Sequence, residues 1–599
     1  MSTDSNAITI HELLHERCVY QMPLFQREYQ WREHSELSHF WDDLVSVVDD
    51  EIDVSFLGAV VLQIEKTGTS KSSQIYTVID GQQRITTFFL MMCAIVATAR
   101  VHGWTETAAD LETQYLVSAL SAEKGRAKLV PTFRDNANFN EVIKNIPNSP
   151  VKLLPDTGMP DGPMVLAYQY LTRRVGEFLE GEKSGTTAKT EDRLSKLYNA
   201  LLEKMEVVQI ILDKAHNANE VFDRLNTAGR PLSTMDLVRN ELFQTVSEDY
   251  DKAEKLYSSL WAPFEKNFDE ALEDHDSETR SSIVDDFFFP YALTYLPSAK
   301  KNKLLPDLRR IWAKLSLNPI MESAQAHDLG ALSIDPTLVI TSLESMRSPY
   351  LAMDQGIRLD KVSDALWEAI LNLRGVPVPG VTHPYFMKLL SEVMAGSVGD
   401  ADALAVCAVL ESFFVRRGLV GLEPTGLHSI FKKLWDDAKA DPSLVKKSIQ
   451  TGTISFPPDE EVLRAIEDKG LYKKRVEKYV LRSYEAHLQQ TSLAKLSYLP
   501  KITADHVMPQ DWQGEWKKVI SKEDHERVVD LWGNLVPLSS PENSAKGAKS
   551  FGEAKALLSQ ETAFLTTKRL MAKTDTWDKE TILARCIELA DWAITRWPK

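Results

Sequence analysis

Ile75-Tyr76-Thr77-Val78-Ile79-Asp80-Gly81-Gln82-Gln83-Arg84-Ile85-Thr86-Thr87 changes its periodicity at a single glycine. Ile75 to Ile79 is a β-branched and aromatic run, the composition of a buried strand. From Ile85 to Ala99 apolar residues cover nearly every side over a length that suits a helix, which predicts a core helix. A strand, a glycine turn and a helix N-terminus together present unpaired N–H groups and a positive dipole end to an anion. Arg84 would add a bidentate phosphate donor, and Asp80 could hold a divalent cation or orient a water. An equally economical reading has Asp80 and Gln82 capping the helix and Arg84 in a structural ion pair. The pattern alone leaves both open.

At 599 residues the chain should hold two to four domains. Apolar content of 43% and charged content of 26% are those of a globular protein. No run of eighteen or more apolar residues is free of charge, and the first residues lack the pattern of a secretion signal, so neither a membrane span nor export is expected. Cys18, Cys93, Cys407 and Cys586 lie far apart, which suits a reducing cytoplasm and argues against paired-cysteine zinc. A formal charge of −17 opposes nucleic acid as a partner unless the cations are local. Lys473-Lys474-Arg475 with Lys478 and Arg482, and Lys517-Lys518, are the two basic runs. Each reads more readily as a solvated face than as a DNA groove.

Further strands are expected at Val54 to Ile64 and Val207 to Leu212, and helices at Ile8 to Leu14, His39 to Val48, and through most of Ala108 to Met205. Ala218 to Leu225 reads as a helix, and Ser233 or Thr234 should cap the helix holding Asp236. Residues 245 to 455 carry helical periodicity almost throughout, without a repeat or a catalytic constellation. Phe456-Pro457-Pro458-Asp459 breaks this pattern and marks the start of a last unit. Lys473 to Gln489 reads as a basic amphipathic helix. Organisation is therefore expected as residues 1–245, a helical 246–455, and 456–599.

Three ordered motifs carry a resemblance. Asp80-Gly81-Gln82-Gln83-Arg84, the earlier Gln26-Arg27-Glu28-Tyr29-Gln30-Trp31, and Asn226-Thr227-Ala228-Gly229 continuing to Asp236-Leu237-Val238-Arg239 are similar to the N-terminal domain of the GmrSD family of type IV restriction enzymes. Thr503-Ala504-Asp505-His506, then Gly533-Asn534-Leu535, then Asn543-Ser544-Ala545-Lys546, resembles the His-Asn-His (ββα-metal) nuclease domain at that family's C-terminus. The resemblance implies an α+β multidomain chain with a ParB/sulfiredoxin-like N-terminal domain, a mostly helical middle and an HNH-like C-terminal domain.

It further implies a modification-dependent DNA endonuclease of anti-phage defence that binds and hydrolyses a nucleoside triphosphate (GTP, ATP or CTP). Asp80, Gly81, Gln82, Gln83 and Arg84, with Gln26 and Arg27, would bind the nucleotide. Asn226, Asp236 and Arg239 stand behind them, with stabilisation of the turn as their alternative role. At the C-terminal site Asp505 and Asn543 would supply oxygen ligands to Mg²⁺ or Mn²⁺. His506 would deprotonate water, Asn534 would orient the ring or brace the loop, and Lys546 or Lys549 would neutralise the scissile phosphate. The partners implied are double-stranded DNA, modified phage DNA in particular, and the nucleotide. A homodimer is one assembly left open. A phosphorothioate-sensing nickase and a non-nuclease regulator or toxin with a vestigial C-terminal domain are the competing readings.

Overall fold

The computed structural model describes residues 4–599 apart from 16–17, 24–27, 68–73, 119–124, 155–160, 181–186, 213–232, 247–249, 318–333, 378–379 and 492–501. Gln26, Arg27, Asn226 and the expected Ala218 to Leu225 helix lie outside the described residues. The chain forms two compact units, Met1–Lys255 and Leu256–Lys599. Both are predominantly helical, and the larger sheet belongs to the first, an α+β arrangement.

The first unit is built on β1 (Asp4–Thr9), β2 (Cys18–Gln21), β3 (Ser55–Thr67), β4 (Gln74–Asp80), β5 (Leu129–Val130) and β6 (Met205–Leu212). They form a mixed sheet in the order β1-β6-β3-β4-β2-β5. β4 lies between antiparallel β3 and parallel β2, so it is hydrogen-bonded on both edges. The Gln82–Val101 helix follows directly and buries every residue from Ile85 to Ala99. This helix is long and apolar enough to cross a membrane by length and composition, but here it is the core of a sheet-and-helix unit. Ile8 was expected to begin a helix. Instead Asp4–Thr9 pairs with β6 and the helix starts at Ile10, because the edge of β6 recruits the N-terminal residues as a strand. β2 and β5 are too short to show a periodicity in sequence; β2 exists by pairing with β4, and β5 by pairing with β2.

The second unit runs from the helical segment into the last strands without a break in its core. One apolar cluster contains Ala352, Phe413, Phe456, Tyr479, Trp532, Leu589 and Trp597. The sequence division at 455/456 therefore passes through shared packing, and Phe456-Pro457-Pro458 is a crossing within one core. The Asp400–Val420 helix supplies the tie. Arg416, fully buried, donates from Nε to the Trp597 carbonyl at 2.5 Å and from Nη1 to the Pro457 carbonyl at 3.0 Å, and also pairs with Asp459. Glu411 accepts from Tyr479 Oη and Trp597 Nε1, each at 2.8 Å. A buried charge is stable only when paired and hydrogen-bonded, and both of these are.

β7 (Thr503–His506) and β8 (Leu535–Leu538) form an antiparallel pair with Asp505 opposite Val536 and His506 opposite Leu535. The Ser540–Lys546 helix follows, started by a reciprocal capping box between Ser539 and Glu542. The expected long loop between the strands carries two short helices, Trp516–Val519 and Lys522–Val528. Gly533 is obligatory for packing: a Cβ there would stand 2.3 Å from the Ile582 carbonyl oxygen and 2.6 Å from Cys586 Sγ. The Lys579–Arg596 helix thereby lies directly on the loop before β8. All four cysteines are free and buried, and packing, without any disulfide, holds the unit.

Candidate functional site

Two separate places carry the sequence-identified residues, one in each unit. In the first, β4 ends at Asp80 and the chain turns at Gly81, whose φ of +90° is the left-handed conformation glycine adopts without cost. A Cβ at Gly81 would also press on Val60 Cγ2 at 3.0 Å and the Ala59 carbonyl at 3.2 Å. No side chain caps the helix that begins at Gln82, so its first N–H groups are available for an anion. Capping by Asp80 or Gln82 is thus not what these residues do. Neither has a hydrogen-bond or ion-pair partner among the described residues.

Gln83 and Arg84 are used structurally. Gln83 Oε1 accepts from the Gln30 amide at 2.8 Å, and its Nε2 donates to the Glu28 carbonyl at 3.3 Å, so it clamps the motif around Tyr29 to the turn. Arg84 Nη1 donates to the Ala59 carbonyl at 3.2 Å, and among the described residues Arg84 makes no ion pair, one of the two roles left open for it. Tyr29 is buried, with its hydroxyl 2.7 Å from Thr87 Oγ1 and its amide donating to Asp135 Oδ2 at 3.0 Å. Asp135 went unnoticed in the sequence. Burial pushes its carboxyl up to about 7, against the hydrogen bonds from Thr132 and Tyr29 that hold it down. Asp236 forms a capping box with Ser233 and pairs with the buried Arg239 at 2.6 Å, which makes stabilisation of their own helix the role the structure gives both.

In the second unit β7 carries Asp505 and His506 side by side. Asp505 is almost buried, and burial raises its carboxyl above the usual range, opposed by Lys546. Lys546 Nζ lies 2.9 Å from Asp505 Oδ2 as a close ion pair, but not on the line of a hydrogen bond, so Oδ2 keeps no aligned donor. Lys546, one of the two lysines expected to meet the phosphate, is in this structure paired with the expected metal ligand. Asn543 projects from the same helix and reaches Thr503 Oγ1 through Nδ2 at a loose 3.4 Å. Lys549 donates to the Ala545 carbonyl at its helix end.

His506 Nε2 lies 2.9 Å from Asp530 Oδ1, and the same oxygen accepts from Gln510 Nε2 at 3.1 Å. Asp530 is the second residue that sequence reading missed; it lies far from His506 in sequence, in the loop before β8. Burial lowers the His506 imidazole, and Asp530 acts in the opposite direction. With Nε2–H given to the carboxylate, Nδ1 retains the lone pair.

Asn534 does not touch the imidazole. It is fully buried, its Oδ1 accepts from the Met508 amide at 2.8 Å and Trp577 Nε1 at 2.9 Å, and its Nδ2 donates to the Met508 and Val529 carbonyls. All four hydrogen-bonding positions of the amide are used, holding the turn after His506 to its surroundings. Of the two roles expected for it, bracing the loop is the one it fills. His525 buttresses the same turn through Pro509 O at 2.8 Å.

A divalent cation was tested against this donor set. Among the described residues no three His, Cys, Asp or Glu side chains converge. The buried, unaligned Asp505 Oδ2 and the amide of Asn543 nonetheless fit a hard cation of the magnesium kind, which takes one or two protein oxygens and fills the rest with water and phosphate.

None of the curated proteins compared with the chain is similar enough to count as a relative. Two family models match, GmrSD restriction endonuclease, N-terminal domain, over residues 10–243, and GmrSD restriction endonucleases, C-terminal domain, over residues 456–592. The first match contains the Gly81 turn and the second contains the β7-β8 pair with its helix, in the order the motifs predict; the chain belongs to the GmrSD family of restriction endonucleases.

Proposed function

We propose that the chain is a modification-dependent DNA endonuclease whose C-terminal β7-β8-helix site, an HNH-like arrangement, cleaves phosphodiester bonds with Mg²⁺ or Mn²⁺. The observation that carries this is the Asp505-His506 pair on one strand, faced by Asn543 and Lys546 from the following helix. Asp505 and Asn543 would hold the cation, which supplies charge stabilisation at the phosphate and the leaving oxygen. His506, fixed by Asp530, takes the proton of the attacking water at Nδ1. Lys546 balances the charge of Asp505 in the resting site. In a ParB-like first unit, the uncapped helix end after Gly81 receives the phosphates of a nucleoside triphosphate, with Asp80 free for a cation or water. Hydrolysis there gates cutting and spares unmodified host DNA, which is the logic of phage defence.

The test is to incubate the purified chain with Mg²⁺ and two phage DNAs, one hydroxymethylated or glucosylated and one unmodified, with and without each nucleoside triphosphate. Cleavage confined to modified DNA is the expected result. Equal cleavage of both removes the modification dependence. Cleavage of neither, followed by nicking of phosphorothioated DNA, replaces base modification with backbone modification as the signal.

A further inference from the structure

One cluster of exposed cations beside the nuclease residues comes from a turn that the sequence presents as helix. Lys473 to Gln489 has helical composition, yet the helix begins only at Glu477. Leu471 and Tyr472 instead donate their amides to the Asp530 carbonyl at 2.8 and 3.2 Å. Lys473 then takes a φ of +64°, a strained conformation for a side-chain-bearing residue, and its amide donates to Glu477 Oε2. Gly470 packs against the same aspartate, where a Cβ would come within 3.0 Å of Asp530 Cβ. The residue that orients His506 therefore also fixes this turn.

Two ring contacts complete the connection. The Tyr472 ring stands edge-on to His506 with centroids 4.3 Å apart, and the Lys473 ammonium lies 5.3 Å from the Tyr472 centroid. Lys469, Lys473, Arg475 and Lys478 are all exposed, and none has an ion-pair partner among the described residues. Elsewhere in the unit Lys518 is matched with Glu515, Lys522 with Glu526 and Lys573 with Glu588, whereas this turn and its flanks gather four exposed cations with no such match among the described residues. Lys474 is the exception within the turn, engaged structurally through the Leu419 carbonyl at 2.7 Å. In a chain of net charge −17, four exposed cations gathered at a strained turn beside the candidate base make a local positive surface suited to a polyanion.

We propose that this turn, with Lys469 and Lys478 flanking it, is the surface that receives the DNA backbone next to the cut phosphate. The partner is duplex DNA, chosen by charge complementarity and by the distance to His506, a few nucleotides at about 3.4 Å of rise each. The proposal rests on the nuclease reading above.

The experiment is fluorescence anisotropy of a short labelled duplex with the full chain in EDTA, titrated with salt, so that binding is read without cleavage. Lys473→Ala/Arg475→Ala/Lys478→Ala is compared with wild type and with Lys517→Ala/Lys518→Ala; thermal unfolding confirms that each variant folds. Loss of three phosphate contacts should reduce the slope of log K against log salt by about 2.7 and weaken binding at moderate salt. The Lys517/Lys518 variant should bind as wild type does. An unchanged slope in the triple variant, an equal loss in the Lys517/Lys518 variant, or no duplex binding by wild type overturns the surface. Failure of the nuclease reading shows separately, as no metal-dependent cleavage by a wild-type chain that still binds through the turn.

Discussion

In the function proposed above, the turn at Gly81 and the strand pair at Asp505 would both handle phosphate, in opposite ways. At Gly81 the chemistry belongs to the backbone: an uncapped helix end and a left-handed glycine, with Asp80 and Gln82 unpartnered among the described residues and Gln83 and Arg84 hydrogen-bonded to the surrounding backbone. At Asp505 the charged residues are already matched with one another, Lys546 to Asp505 and Asp530 to His506. An uncapped helix end is ready for an anion as it stands. A matched set of charges has to trade partners when a cation and a phosphate arrive. A motif can thus mark a site whose named side chains are mostly scaffold, as in the first unit, or one whose side chains are the reagents, as in the second.

The contrast breaks most sharply at His506. His506→Ala should reduce DNA cleavage by at least about 100-fold while leaving nucleotide hydrolysis in place, read by gel and by phosphate release. Retained cutting would show that the imidazole is not the base. Asn534→Ala should act on folding: it strips partners from the Met508 amide and carbonyl, the Val529 carbonyl and Trp577 Nε1, a loss of about 3 kcal/mol or more in chemical denaturation. A stable Asn534→Ala chain without cleavage would move this residue among the reagents.

In the first unit, Gly81→Ala combines a strained φ with crowding against Val60, at about 1–3 kcal/mol of stability. Asp80→Asn should leave stability unchanged and lower nucleotide hydrolysis, measured on the same samples. If Asp80→Asn unfolds the unit, the side chain belongs to the scaffold. The smallest effect concerns Asp135. Its folded carboxyl is raised to about 7, so the protonated form favours the fold and that contribution is lost as pH rises from the ordinary carboxyl range through 7. Relative to wild type, Asp135→Asn should remove a decline in stability of at most about 1.4 kcal/mol per pH unit over that window, followed by thermal unfolding against pH.

Much of this was legible because it rests on local chemistry. The Ile75 to Ile79 run and the all-apolar Ile85 to Ala99 segment state a strand and a buried helix in their composition, and the glycine between them has to be the turn. Asp505 and His506 were legible as a strand end because β8 and its capping-box helix have their own signals. What stayed hidden depends on distant partners. β2 exists through pairing to β4 and β5 through pairing to β2, and Asp135 and Asp530 act through Tyr29 and His506, far off in sequence. The turn at Lys473 misled in the other direction, since its helical composition is overruled by two amides captured by Asp530. The role of Asn534 was half legible: the motif marks the residue, but only the four buried contacts separate a brace from a ring-orienting group.

Arg416 and Glu411 fasten the last residues, Trp597 and its neighbours, to a helix that begins at Asp400. For anyone dissecting the protein, the consequence is that the nuclease motif does not define an excisable cassette. A fragment starting at residue 456 would lose Phe413, bare the face of Phe456 that packs on it and leave Trp597 without its anchor. Recombination that carried the Asp505-His506 pair to another chain would have to bring the Asp400–Val420 helix with it, so the heritable module is longer than the motif that advertises it.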